Sequence, residues 1–240
     1  PFITTFETSL PRWNDTDIDF RQGLELLAQK NCVQLLALSQ CAYRKQAAVI
    51  ARFRPDLSAA IMQKCRVLLP PQAALIENMD AKRARGEQII FTMVGADFFR
   101  KGGMAVLKTF DLLLEQKAPV VLNIVSTLNY GDYASKTGKA DYETALQLIQ
   151  KHNGNIYWHR QLSNAGVTQL LIDSDVALLP SLAETFGYFI LEAQAATLLH
   201  FQHLAGVGGL IGIPDFAAPR LLHDLRAMRR LGHARGLSKI

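Results

Sequence analysis

The fold of this chain is decided by the segment PSLAETFGYFILEA, residues 180–193. The apolar run VALL at 176–179 is typical of a buried parallel strand, and the apolar, Ala-rich end of the segment predicts a helix. A strand, a turn and a helix in this order can hold an anionic ligand, because the first turn of a helix has backbone N–H groups without intrahelical partners. Gly187 has no Cβ and lets a ligand approach the turn closely. The segment therefore predicts a phosphate-binding turn.

Two glutamates frame this turn. Glu184 lies in the turn, and Glu192 lies about two helical turns further along the predicted helix. At this spacing they cannot form an adjacent acid/base pair, but they can contact two separated parts of one long ligand. The alternative is that both are solvated carboxylates in an ordinary strand-to-helix connection.

This pattern resembles the signature of the retaining GT-B glycosyltransferases that use nucleotide sugars, the large group 1 or family 4 of these enzymes. The matching residues are Pro180, Ser181, Glu184, Phe186, Gly187 and Glu192. The resemblance implies that Glu184 lies beside the donor sugar and that Glu192 binds the ribose hydroxyls. It also implies that the backbone of Thr185, Phe186 and Gly187 meets the sugar and the diphosphate. The likeness covers about residues 1–196.

A second loop with glycine lies in residues 88–103, QIIFTMVGADFFRKGG. An apolar strand ends at its Gly95, and a helix follows with apolar residues at helical spacing, Met104, Leu107, Phe110 and Leu114. Arg100 and Lys101 lie between strand and helix, where cations and a helix N-terminus together can counter the charge of a diphosphate without a metal. The alternative for both cations is a solvated loop.

The same family has a glycine followed by an arginine, and then a Lys-Gly pair, at the start of its donor domain. Gly95 and Lys101-Gly102 match this pattern, whereas Ala96 occupies the position of the arginine. We expect Arg100 to supply the second positive charge from a different position. By the same likeness, His159 and Arg160, which follow the predicted strand at residues 155–158, are expected near the nucleobase.

The sequence Asp173-Ser174-Asp175 is similar to the Asp-x-Asp pair that holds a metal and a diphosphate in the GT-A class of glycosyltransferases. Here the pair precedes a predicted strand, whereas ligands of open α/β sheets bind beyond the carboxyl ends of strands. We interpret these aspartates as helix-end and turn residues. We therefore expect no metal site.

Residues 1–80 show the same alternation of strands and helices. Apolar runs at 33–39 and 65–69 predict strands, residues 22–29 and 57–63 predict helices, and Ser39 is placed to cap a helix that begins near Cys41. We predict an α/β protein with two Rossmann-like parallel-sheet domains, as in the GT-B fold. The expected divisions are a partial acceptor-side domain with linker at 1–80, a donor domain at 81–196 and a divergent basic segment at 197–240. The first domain is expected to be incomplete, because the family has several strands before the one that matches residues 2–6.

Composition narrows the class of protein. The chain has 240 residues, of which 49% are hydrophobic, enough for a sizeable core, and it has no signal peptide pattern or apolar run of membrane-span length. Three cysteines without CxxC spacing indicate neither a disulfide framework nor a zinc site and favour a cytoplasmic protein.

Charge is concentrated near the end of the sequence. Residues 197–240 hold six basic and two acidic residues and so carry +4 of the formal net charge of +5. Such a segment can meet nucleic acid or the inner face of an anionic membrane, but a solvated helix face is the interpretation we favour. We therefore expect no nucleic-acid partner and leave peripheral membrane contact open.

The function implied by the resemblance is transfer of a glycosyl group, with retention of configuration, from a UDP- or GDP-linked sugar to a carbohydrate, lipid or other acceptor. Glu184, Lys101 and Arg100 are the expected catalytic residues, and stabilisation of the departing diphosphate is the main catalytic effect. No cofactor other than the donor substrate is expected. The alternative is a catalytically inactive nucleotide-binding or interaction protein derived from such an enzyme.

Overall fold

The computed structural model describes residues 1–12, 16–76, 88–132, 134–182, 184 and 186–196, together with the backbone of 199–202. These residues form two units, one comprising Pro1–Pro71 with Phe186 and Gly187, and the other comprising the described residues of Gln72–Glu184 and those from Tyr188 onwards. The predicted domain boundary after residue 80 lies inside the undescribed stretch 77–87, and the one after residue 196 precedes the undescribed residues 197–198. Both boundaries stay predictions. Of the predicted basic segment 197–240, only the backbone of residues 199–202 is described.

The first unit is a three-stranded parallel sheet with its helices. Its strands lie in the order β1-β2-β3, with bounds Phe2–Phe6, Cys32–Ala37 and Cys65–Val67. Its helices are α1 (Asp17–Ala28), α2 (Gln40–Phe53), a 3₁₀ turn (Pro55–Leu57) and α3 (Ser58–Met62). Buried side chains from all three strands, including Phe6, Leu35 and Cys65, pack with Leu24 of α1 and Ile50 of α2 to form the core of this unit.

Helix caps explain where these helices begin. The Ser39 hydroxyl accepts a hydrogen bond from the Ala42 N–H at 3.0 Å, which confirms the predicted cap of α2. Helix α1 begins before the predicted residue 22, because Thr16 accepts from the Asp19 N–H and starts it at Asp17. Strand β3 is shorter than predicted and ends at Val67. Pro70 and Pro71 follow shortly after it and have no backbone N–H to offer a neighbouring strand.

The second unit is a five-stranded parallel sheet in the order β6-β5-β4-β7-β8. The strands are β4 (Ile89–Val94), β5 (Val120–Val125), β6 (Ile156–His159), β7 (Val176–Leu179) and β8 (Leu199–Gln202). The helices are α4 (Gly103–Glu115), α5 (Lys139–Lys151), α6 (Asn164–Asp173) and α7 (Tyr188–Ala195). Strand β5 is buried along its whole length, which is typical of a central parallel strand. The predicted α/β class with two parallel sheets is confirmed.

The core of this unit lies against β4 and β5. The apolar face predicted for helix α4 is confirmed, since Leu107 and Phe110 are buried there and Met104 and Leu114 pack partly buried against them. Ser163 caps α6 by accepting from the Gly166 N–H at 3.2 Å. No described helix is both long enough and apolar enough to cross a membrane.

Candidate functional site

The strand order of the second unit changes direction at β4. From β4 the chain moves outwards to β5 and β6, and it then returns to the other side of β4 for β7. In open α/β sheets, ligands bind beyond the carboxyl ends of the strands where the order changes direction in this way. The loop 95–102 follows β4 and the loop 180–187 follows β7, so the two predicted phosphate-binding loops flank this point.

Gly102 and Pro180 hold the two loops together. Gly102 has a φ of +82°, and a Cβ placed on it would lie 2.2 Å from the Pro180 carbonyl oxygen. The Leu182 N–H donates to the Arg100 carbonyl oxygen at 2.8 Å, which adds a backbone link between the same loops. Only glycine satisfies both the left-handed backbone and the close approach at position 102.

Lys101 and Glu184 meet between the loops. The Lys101 ammonium lies 2.8 Å from Glu184 Oε2, and the two side chains are only 16% and 8% exposed. The Ser181 hydroxyl donates to the same carboxylate oxygen at 3.3 Å. The stem of Lys101 runs over Gly95, where a Cβ would lie 2.6 Å from Lys101 Cδ. The structure therefore brings together three of the predicted site residues, Gly95, Lys101 and Glu184.

The Arg100 guanidinium contacts a carboxylate of its own loop, Asp97. Its Nε donates to Asp97 Oδ2 at 3.1 Å, and its Nη2 contacts the same oxygen. The positive charge predicted for the diphosphate is thus shared with a neighbouring carboxylate. The sequence showed this Asp97-Arg100 pair at a spacing of three residues, but the prediction did not weigh it.

The turn after β7 leads directly into α7. Phe186 and Gly187 are buried and immediately precede the first residue of the helix, Tyr188, while Thr185 lies outside the described residues. Glu192 lies on α7 and is half-buried, and burial raises the pKa of its carboxyl above the usual 4.5. Within the described ranges, its carboxylate has no hydrogen bond or ion pair with another side chain.

His159 and Arg160 lie at the carboxyl end of β6. The His159 carbonyl oxygen accepts from the Ser126 N–H at 3.0 Å, which extends the pairing of β5 with β6, and Arg160 is exposed directly after the strand. Strand β5 lies between them and β4. Both residues are therefore at the same edge of the sheet as the two loops, two strands away from β4.

The aspartates before β7 have structural partners at the opposite edge of the sheet. Asp175 accepts from the Ile90 N–H at 2.8 Å, and Asp173 accepts from Gln169 at 3.0 Å as the last residue of α6. Their interpretation as helix-end and turn residues is confirmed. In the part of the chain that the structure describes, no group of three or more His, Cys, Asp or Glu side chains is arranged to hold a metal ion.

A comparison with protein families decides the relationship. Residues 76–200, just over half of the chain, match the model of the family described as glycosyl transferases group 1. The chain belongs to this family. The matched range begins just before the undescribed residues 77–87 and includes the loops after β4 and β7. A comparison with curated proteins gave no match.

Solved structures show the same fold as this group 1 family chain. The HepE protein of Anabaena in complex with UDP is 17% identical, with a TM-score of 0.59. The match covers 86% of this chain and 54% of the HepE chain. A glycosyltransferase of Rickettsia africae is 16% identical, with a TM-score of 0.56, and the match covers 88% of this chain and 54% of that one. A UDP-forming trehalose-phosphate synthase of Burkholderia xenovorans is 14% identical, with a TM-score of 0.53, and the match covers 88% of this chain and 55% of that one. This chain thus spans about half the length of the structures it matches.

Two residues at this site of the group 1 family chain were not predicted from the sequence. The hydroxyls of Ser126 and Thr127, at the carboxyl end of β5, each donate to the Ala96 carbonyl oxygen at 3.2 Å. A signal was present in the sequence, because Ser126 ends the apolar run PVVLNIVS with a polar side chain at a strand end. Its relevance depended on the strand order, which places β5 directly beside β4.

Proposed function

We propose that this protein transfers a glycosyl group from a nucleotide sugar to an acceptor with retention of configuration. The observation that carries the proposal is the pairing of Lys101 with Glu184 at the carboxyl edge of the sheet, 2.8 Å apart and largely buried. A lysine from one loop and a carboxylate from the next, joined where the strand order changes direction, form a site that can address a phosphate and a sugar together.

The proposed role of the cations is to hold the diphosphate. Lys101 supplies the principal charge and Arg100 adds to it from a position already shared with Asp97. Gly95 leaves room for the Lys101 stem, and Gly102 lets its loop approach Pro180. The backbone of Thr185, Phe186 and Gly187 is proposed to meet the phosphates before α7. Charge that develops on the departing diphosphate is then stabilised by groups already in place, which is the largest contribution to catalysis in many transfer reactions.

The proposed role of the carboxylates is to hold the two sugars of the donor. Glu184 accepts hydrogen bonds from the transferred sugar beside Lys101, and Glu192 accepts from the ribose hydroxyls. Glu192 suits this role, because a half-buried carboxylate with a raised pKa gains from hydroxyl donors that replace lost water. His159 and Arg160 lie at the end of β6, two strands from β4, and are proposed to approach the nucleobase.

The donor is proposed to be a UDP- or GDP-linked sugar that binds without a metal cofactor. The HepE protein of Anabaena has been solved in complex with UDP-glucose, which supports the choice of UDP as the first nucleotide to test. Lys101, Arg100 and the start of α7 together provide the positive charge that a metal ion provides elsewhere.

The acceptor is proposed to be a carbohydrate, a lipid or another hydroxyl compound, with no nucleic-acid partner. We place the protein in the cytoplasm, with peripheral contact to the inner face of the membrane through the basic residues of 197–240 as an additional feature. We further propose that residues 81–196 form the donor domain and that residues 1–80 belong to the acceptor side.

A second candidate is a nucleotide-binding protein without turnover. The observation that favours it is at Arg100, whose guanidinium already contacts Asp97 Oδ2, while Ala96 occupies the position of the family's arginine. Such a protein would bind the nucleotide through Lys101 and Glu192 and would transfer no sugar.

Calorimetric titration with UDP, GDP and ADP tests the proposal. We expect one nucleotide to bind, Lys101→Ala and Glu192→Ala each to weaken its binding by about tenfold or more, and Lys108→Ala, which removes an exposed lysine of α4, to leave it unchanged. Release of nucleotide from the corresponding labelled nucleotide sugar then separates the two candidates, because binding without turnover fits only the second. Absence of binding to all three nucleotides would contradict both.

A further inference from the structure

The Ala96 carbonyl oxygen, just after β4, accepts three hydrogen bonds. The hydroxyls of Ser126 and Thr127 each donate to it at 3.2 Å, and the Phe98 N–H donates at 3.1 Å. A carbonyl oxygen has two lone pairs, so three donors saturate it. This oxygen is therefore fixed by its own loop and by the end of the neighbouring strand β5.

Ser126 is itself held by strand β6. Its side chain is buried, its N–H donates to the His159 carbonyl oxygen at 3.0 Å, and its own carbonyl oxygen accepts from Trp158 Nε1 at 2.8 Å. Through its hydroxyl, Ser126 therefore fixes Ala96 relative to β5 and β6. Thr127 carries the second hydroxyl to the same oxygen from a half-buried position.

The path from Ala96 to Lys101 is short and is anchored by buried side chains and a backbone hydrogen bond. Phe98 and Phe99 are 0% and 3% exposed and anchor the loop in the core, and the Lys101 N–H donates to the Asp97 carbonyl oxygen at 2.9 Å. The Lys101 stem returns over Gly95, so that Cδ lies 2.6 Å from the place of a Cβ there. A displacement of Ala96 therefore moves the surface on which the Lys101 side chain rests.

We propose that Ser126 and Thr127 are positioning residues of the donor site, which act through Ala96 to align the Lys101 ammonium with Glu184 and the donor diphosphate. In this role the two hydroxyls bind the Ala96 carbonyl oxygen and not the donor. The inference rests on the proposed function of Lys101 and adds to it residues from a third strand end.

A double-mutant cycle tests this role. The variants are Ser126→Ala with Thr127→Val, which removes both hydroxyls, the single variant Thr127→Val, and the control Thr127→Ser, which keeps the hydroxyl. Each is made in the wild-type and in the Lys101→Ala background. The readout is the Kd, by calorimetry, for whichever of UDP, GDP and ADP the wild-type protein binds, and thermal unfolding verifies that each variant is folded.

We expect loss of both hydroxyls to raise the Kd about threefold to tenfold in the wild-type background, within the range of coupling between neighbouring residues, and to leave it unchanged in the Lys101→Ala background. Thr127→Val alone should give a smaller rise, and Thr127→Ser should bind as the wild type does. Where turnover is measurable, the donor KM should rise with little change in kcat.

Three results would overturn the inference. Equal losses in both backgrounds would assign the hydroxyls a general structural role, and no loss in the wild-type background would deny them any role in binding. If Thr127→Ser weakened binding as much as Thr127→Val, the hydroxyl would not be the group responsible. By contrast, a wild-type protein that binds no nucleotide, or that binds equally well as Lys101→Ala, would overturn the proposed function itself and this inference with it.

Discussion

Lys101 and Glu184 form a largely buried ion pair, with Nζ 2.8 Å from Oε2, although 83 positions separate them in the sequence. The Glu184 carboxylate thus already pairs with the Lys101 ammonium, which is proposed to bind the diphosphate of the donor. A bound donor must share Lys101 with Glu184, whose negative charge opposes that of the phosphates. The pair therefore favours ligands that also satisfy the carboxylate, as sugar hydroxyls do, over a bare diphosphate.

Glu184→Gln tests this competition. The amide keeps the shape of the side chain and removes its charge, so we expect UDP to bind about threefold to tenfold more tightly, the effect of about 1 kcal/mol of relieved repulsion, while sugar transfer is lost. Calorimetry with UDP and a turnover assay measure the two effects. Glu143→Gln, which removes a charge from an exposed pair with Lys139, is the control and should change neither. Weaker UDP binding in Glu184→Gln would contradict the prediction.

Gly95→Ala should disturb Lys101 directly. The added methyl would lie 2.6 Å from Lys101 Cδ, so the side chain must leave its path to Glu184. We expect nucleotide affinity to fall about tenfold, as for loss of a hydrogen bond to a charged group, with a smaller effect on stability because a flexible side chain gives way. The matched variant is Gly138→Ala, where a Cβ meets nothing within 4 Å. Equal affinities of both variants would refute the proposed path of Lys101.

Gly102→Ala should destabilise the second unit. Position 102 combines a φ of +82° with a Pro180 carbonyl oxygen 2.2 Å from the added Cβ, whereas Gly154 has a φ of +106° and open space around it. Gly154→Ala should therefore show backbone strain alone, about 1–3 kcal/mol, and Gly102→Ala should cost clearly more. Urea denaturation measures both. If the two variants lost the same stability, the contact between the loops would contribute nothing.

Glu192 should make stability depend on pH. Burial raises its pKa above 4.5, so the folded state holds this proton more tightly than the unfolded state does. The resulting stabilisation is complete below the unfolded pKa and is lost as the pH rises through the folded pKa. We expect Glu192→Gln to have a higher Tm than the wild type at neutral pH, with the difference vanishing towards about pH 3. A difference that is constant over this range would contradict the assignment.

Asp111 should show the opposite dependence. Hydrogen bonds from Lys151 and then from His152, both at 2.6 Å, lower the pKa of this carboxyl below its usual 3.8 and join α4 to α5. Its stabilisation is present above the unfolded pKa and is lost as the pH falls through the folded pKa. Asp111→Asn should therefore lower the Tm at neutral pH but not at about pH 2. About 1 M salt should shrink the neutral-pH difference, because the pair is partly exposed.

The sheets of this protein could be predicted from local sequence, because buried parallel strands are apolar runs and helix starts carry their own signals. Strands β4 and β7 match the runs that predicted them, and Ser39 caps a helix as expected. Ends of elements were less predictable where a cap or a proline outside the periodic pattern decided them. Thr16, which starts α1 five residues before the predicted residue 22, is an example.

The candidate site could be predicted only in its parts. Gly95, Lys101 and Glu184 were identified one by one, but their meeting depends on the strand order and on the approach of Gly102 to Pro180, which no local pattern encodes. The same dependence hid Ser126 and Thr127, whose hydroxyls matter only because β5 lies beside β4. Residues 13–15, 77–87, 133, 183, 185, 197–198 and those from 203 onwards lie outside the described structure. The roles predicted for Thr185 and the basic segment stay predictions.

The contact of Gly102 with Pro180 ties together two loops that evolution would otherwise alter separately. A side chain at position 102 can be tolerated only in a relative whose loop after β7 has withdrawn, and such a withdrawal would also break the link from Leu182 to Arg100. Insertions and substitutions in these two loops should therefore be inherited as matched pairs. A chimera that takes one loop from a distant relative and keeps the other should fail where an exchange of both succeeds.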